Sequence, residues 1–130
     1  MIQGFTIIHM VFLVIAFLLF IMAIVVARSK IAFDEKIRKH KLYVGTGLGI
    51  AAIILILMYL NGRIMKTIPH FYFGIISFGI GVLIALSGII TLKMKSANLK
   101  ALSRSKHITG GFFFILLIVI TIIIGISTLL

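Results

Sequence analysis

Four long apolar runs take up nearly the whole chain, at about Phe5–Ala27, Leu42–Leu60, Pro69–Leu92 and Ile108–Leu129. A helix that crosses the hydrocarbon core of a bilayer needs about 20 predominantly apolar residues, so each run is long enough to span once. With 62% apolar residues and two acidic ones in 130, a water-soluble domain of this length would have no polar surface to show its solvent. The solvent must be lipid. The expected fold is an all-α integral membrane protein, a single transmembrane domain over 1–130 with helices at about 5–27, 36–61, 69–92 and 105–129.

The first run is read as a retained helix rather than a cleaved secretory signal. It lacks a basic leader, is too long for a signal core, and ends in Ala27-Arg28-Ser29-Lys30 without a small-residue cleavage site. The chain contains no cysteine, which excludes disulfides, thiolate metal sites, thioether-attached haem and iron–sulfur clusters together.

The formal charge of +11 is not a nucleic-acid signal, because the basic residues fall between the apolar runs. Arg28, Lys30, Lys36, Arg38, Lys39 and Lys41 follow the first run, and Lys93, Lys95, Lys100, Arg104 and Lys106 follow the third. Arg63 and Lys66 follow the second, and the two tails carry none. Cytoplasmic loops are the ones enriched in Lys and Arg. The expectation is therefore a multi-pass protein of the cell membrane with both termini outside.

Helix boundaries are marked by familiar chemistry. Asp34 and Glu35 suit the start of the second helix, Asn61-Gly62 its end, and Pro69 the first turn of the third with Thr67 before it. Ser103 or Ser105 suits the start of the fourth. Short loops make consecutive helices antiparallel neighbours, so the architecture expected is an up-down-up-down four-helix bundle with helices one and three on one diagonal and two and four on the other. The two halves form a weak helix-hairpin repeat.

The chemistry sits in four histidines, His9, His40, His70 and His107, one near the N-terminal end of each predicted helix. Successive histidines are one helix plus one loop apart. Because alternate helices run in opposite directions, His9 and His70 fall at the extracellular level and His40 and His107 at the cytoplasmic level. Each helix continues for about 18–20 residues beyond its histidine, roughly 27–30 Å of rise, so one metal ion cannot join all four. Neutral imidazole is an axial haem ligand, and a haem held between diagonal helices needs one histidine from each at one depth. The pattern provides this twice. A lone histidine at a helix end is most often an interfacial residue, but four falling as two level pairs are harder to place there.

Small residues favour haem over a bare metal. Gly74 lies four residues after His70, and Gly110 and Gly111 lie three and four after His107, one turn along the same face, where a missing side chain lets a flat macrocycle approach. Gly88 and Gly125 stand about 18 residues, five turns, beyond His70 and His107, on the ligand's own face and near the haem of the opposite end. Ser77, Gly81, Ala85 and Gly88 equally form a stripe of the kind membrane helices use for close packing. Phe71, Phe73, Phe112, Phe113 and Phe114 are candidates to wall the haem edges. Arg38, Lys39, Lys41 and Lys106 suit propionates, an anionic substrate or lipid phosphate.

His70-Phe71-Tyr72-Phe73-Gly74 and His107-Ile108-Thr109-Gly110-Gly111, with the order and topology of the four histidines, resemble the cytochrome b561 family over essentially the whole chain. That resemblance implies a four-helix core binding two haem b groups, one through His9 and His70 and the other through His40 and His107. It implies electron transfer across the membrane. The cytoplasmic donor is left open among an ascorbate-like reductant, a quinol and a protein; an extracellular acceptor and self-association are likewise open. The apolar runs carry no acid, which favours simple electron transfer over proton pumping. Two other readings stand: a quinol-linked haem anchor of a redox complex, and a haem-free small membrane subunit or transporter.

Overall fold

The computed structural model describes residues 2–60 and 69–127, with side chains of the first helix described from residue 7. Four helices account for almost all of them: α1 (Ile2–Arg28), α2 (Phe33–Leu60), α3 (Pro69–Lys93) and α4 (Ala97–Ser127). All four are long and apolar enough to cross a membrane, which makes the chain an all-α, multi-pass membrane protein. The expected boundaries at Asn61-Gly62 and Thr67 lie outside the described residues.

Two helices begin earlier than the apolar runs suggest. The amide of Lys36 donates to Ala32 O at 2.9 Å, so α2 starts at Phe33, and Asp34 and Glu35 sit in its first turn where negative charge complements the helix dipole. Glu35 also holds Lys39 at 2.7 Å, an i,i+4 pair on the helix surface. In α4 the amide of Lys100 donates to Ser96 O at 2.9 Å, which makes Ser96, a preferred residue for that place, the N-cap. Ser103 and Ser105, the two starts expected from sequence, lie inside the helix. Ala97, Leu99, Lys100, Ala101 and Leu102 are good helix formers, so α4 runs on well past the end of its apolar segment. Pro69 opens α3, where its missing N–H has no helical partner to lose.

The chain divides into two compact units, Met1–Met65 and Lys66–Leu130, each a hairpin of two antiparallel helices. In the first, residues 29–32 connect α1 to α2; Ser29 closes α1 by donating both its amide, at 3.1 Å, and its hydroxyl, at 2.7 Å, to Val26 O. The buried residues described in the α1–α2 seam are all non-polar. Ala16, Phe20, Ala23 and Val26 from α1 meet Gly47 and Ile54 from α2. Phe20 fits a notch that only glycine leaves open, since a Cβ at Gly47 would stand 2.9 Å from its ring.

The second hairpin, α3 with α4, has a polar seam. Ser77, Gly81 and Thr91 are buried on α3, and Phe114 and Thr121 on α4. Each hydroxyl is paired, as it must be away from water. Thr121 gives its proton to Leu117 O at 2.7 Å, so Ser77 donates across the 3.1 Å contact to Thr121 Oγ1. By the same accounting Thr91 donates to Ser87 O at 2.7 Å and accepts from Ser103 Oγ at 2.6 Å.

The stripes of all four helices share a seven-residue period, the spacing that keeps one stripe of a helix facing an antiparallel neighbour. Every stripe contains the histidine: His9, Ala16 and Ala23; His40, Gly47 and Ile54; His70, Ser77, Ile84 and Thr91; His107, Phe114 and Thr121. The internal repeat read weakly from sequence is thus a repeat of register.

Candidate histidine sites

Each histidine is half-buried in the seam of its own hairpin. In both hairpins one lies toward the connected end, His40 or His107, and one toward the open end, His9 or His70. On α3, residue 70 carries one ring of the second hairpin and residue 84 binds the other, about 21 Å away along the helix, so those histidines cannot share an ion. Among the described residues no group of three or more His, Cys, Asp or Glu comes together. Within each hairpin the two imidazoles are well separated; His40, His70 and His107 each bond the partner helix 14 residues along from that helix's own histidine.

Three of these rings are held in the same way. His40 Nδ1 lies 2.9 Å from Ala23 O, His70 Nδ1 lies 2.8 Å from Thr121 O, and His107 Nδ1 lies 3.0 Å from Ile84 O. A carbonyl oxygen has no proton to give, so Nδ1 must be the donor in every case. A neutral imidazole has one N–H. Fixing it on Nδ1 places the lone pair on Nε2, the tautomer in which imidazole ligates a metal through that nitrogen.

The acceptors follow the seam register. Ala23 stands two heptads after His9, Ile84 two after His70, and Thr121 two after His107, so each imidazole bonds to the backbone of the partner helix at the level where that helix's stripe has advanced two repeats. The same step from His40 leads to Ile54, and Ile54 and His9 line one small apolar cavity with Ile8, Phe12, Ile50, Ile53 and Leu57.

One turn beyond two of these acceptors stands a glycine. Gly125 faces the His70 ring and Gly88 faces the His107 ring; a Cβ would come within 2.7 Å of the first and 2.8 Å of the second. Even alanine would drive the imidazole from its place. The sequence spacing puts these two glycines on the ligand's face near the opposite end, and in the second hairpin each lies at the other helix's histidine.

The remaining expected residues divide. Gly111 faces open space one turn from His107, whereas Gly110 packs on Ile84, with 3.3 Å between that side chain and a Cβ at 110. Gly74 is half-buried one turn after His70. Phe114 is buried in the α3–α4 seam, while Phe73, Phe112 and Phe113 are exposed; Phe114 therefore packs the hairpin interior. Sequence reading missed the acceptor carbonyls, which carry no residue signature, and Ser87, whose Oγ lies 3.1 Å from His107 Nδ1. No family model, curated protein or solved structure matches the chain.

Proposed function

We propose that the chain is a di-haem b-type cytochrome that carries electrons across the membrane, from a cytoplasmic donor to an extracellular acceptor, within the cytochrome b561 type of four-helix core. His40 and His107 would hold one haem b and His9 and His70 the other. The single observation that carries this reading is the shared hydrogen bond of His40, His70 and His107, in which Nδ1 donates to a main-chain carbonyl of the partner helix and the ring's lone pair therefore lies on Nε2. The donor set fits the group, since b-type haem is held by neutral imidazoles and needs no cysteine.

Haem iron, when bound, supplies one-electron ferric/ferrous chemistry. The chain's own residues do the rest. The backbone acceptors orient each ring and raise its basicity. Gly88 and Gly125 leave the imidazoles room in the seam. Lipid-facing apolar residues keep water away, and the apolar runs carry no acid to relay protons. The reducing cytoplasm sets the direction.

Paired substitutions test the assignment. His70→Ala should remove one haem and spare the other, and His107→Ala should remove the complementary one, read as a halved haem content with an altered reduced α-band. Retention of both haems in either variant would refute the pairing.

A further inference from the structure

The His107 end carries a device built from Ser87. Its hydroxyl donates to Ile84 O at 2.7 Å, which commits its one proton, so the 3.1 Å contact with His107 Nδ1 has the imidazole as donor. Ile84 O accepts from the same Nδ1 at 3.0 Å. The His107 N–H is thus shared between a hydroxyl and a carbonyl that are themselves hydrogen-bonded, a closed three-membered arrangement. The turn carrying it is tied down, since Thr91 donates to Ser87 O and accepts from Ser103 on α4, and Gly88 leaves the space in which the ring lies.

At His70 the local hydroxyls serve another purpose. Ser77 and Thr121 bond to each other, and the imidazole meets Thr121 through the carbonyl.

We infer that Ser87 is a positioning residue for His107: by giving Nδ1–H a second acceptor beside Ile84 O, it fixes the plane of the imidazole and increases electron density at Nε2. This deepens the di-haem reading and rests on it for the identity of what Nε2 holds. Two acceptors restrain rotation of the ring about its Cβ–Cγ bond where one leaves it freer. A further acceptor on Nδ1 also makes the ligand more basic, which favours ferric over ferrous iron.

The test compares Ser87→Ala, Ser87→Thr and Ser77→Ala in the full-length, haem-loaded protein by electron paramagnetic resonance of the ferric state and by redox titration. Ser87→Ala should keep both haems, move the g-values of one low-spin signal and shift one midpoint potential to a more positive value. Ser87→Thr, which keeps the hydroxyl, should restore both. Ser77→Ala should leave both centres as they were. The inference is overturned if Ser87→Ala changes neither signal nor potential, or if Ser77→Ala produces the same shift, which would mark general loosening of the seam.

A second measurement does not depend on haem. In the ¹⁵N-histidine spectrum of the apoprotein, Ser87→Ala should move the His107 ring nitrogens and spare those of His40. If the chain binds no haem but this shift is seen, the di-haem reading fails while the role of Ser87 in holding the ring stands; unmoved His107 nitrogens overturn the role itself.

Discussion

At the scale of single residues, the site is a matter of where protons sit. Main-chain carbonyls facing Nδ1 of His40, His70 and His107 leave one tautomer for each, and the glycines facing two of the rings decide whether those rings can stay. In Gly125→Ala, helix propensity gains about 1 kcal/mol, while overpacking costs about 1–3 kcal/mol. The helix should survive and the His70 ring should move. The expected result is loss of one haem, read by absorbance, with little change in thermal stability; Gly88→Ala should do the same at His107. The spacing of histidines and glycines was legible in the sequence because period and residue type are both written there. The carbonyls were not, since any residue could supply one.

At the scale of the helix, stability rests on how the stripes interlock. Phe20 occupies the space above Gly47, where a Cβ would come to 2.9 Å, so Gly47→Ala should destabilise the α1–α2 hairpin by about 1–3 kcal/mol. Phe20→Leu removes the atoms the new methyl would strike. The double variant should therefore be more stable than the sum of the singles predicts, with a coupling of about 0.5–3 kcal/mol, measurable by unfolding the detergent-solubilised protein. The existence and number of helices were legible from the apolar runs. Their starts were less so: Ser103 and Ser105 lie nearest the fourth run and look like caps, but the stretch after Ser96 is helical by propensity, and Ser103 turns inward to Thr91. The polar seam of α3 and α4 was also hidden, because serines and threonines in an apolar run read equally well as small packing residues.

At the scale of the whole molecule, the account requires two-sidedness. The connections between α1 and α2 and between α3 and α4 carry the basic flanks, and the proposed function requires them on the cytoplasmic side, where such charge is enriched. The cysteine-free chain permits a direct test: Lys95→Cys should react with an impermeant maleimide only after the membrane is opened, and Ser127→Cys should react in intact cells. The reverse pattern would invert the proposed direction of electron flow. The central claim, that seam histidines hold two haems, is tested most directly by pyridine-haemochrome analysis of the purified protein made in a haem-replete host. The account predicts close to two haem b per chain with a sharp reduced α-band; a colourless protein from the same host would contradict it.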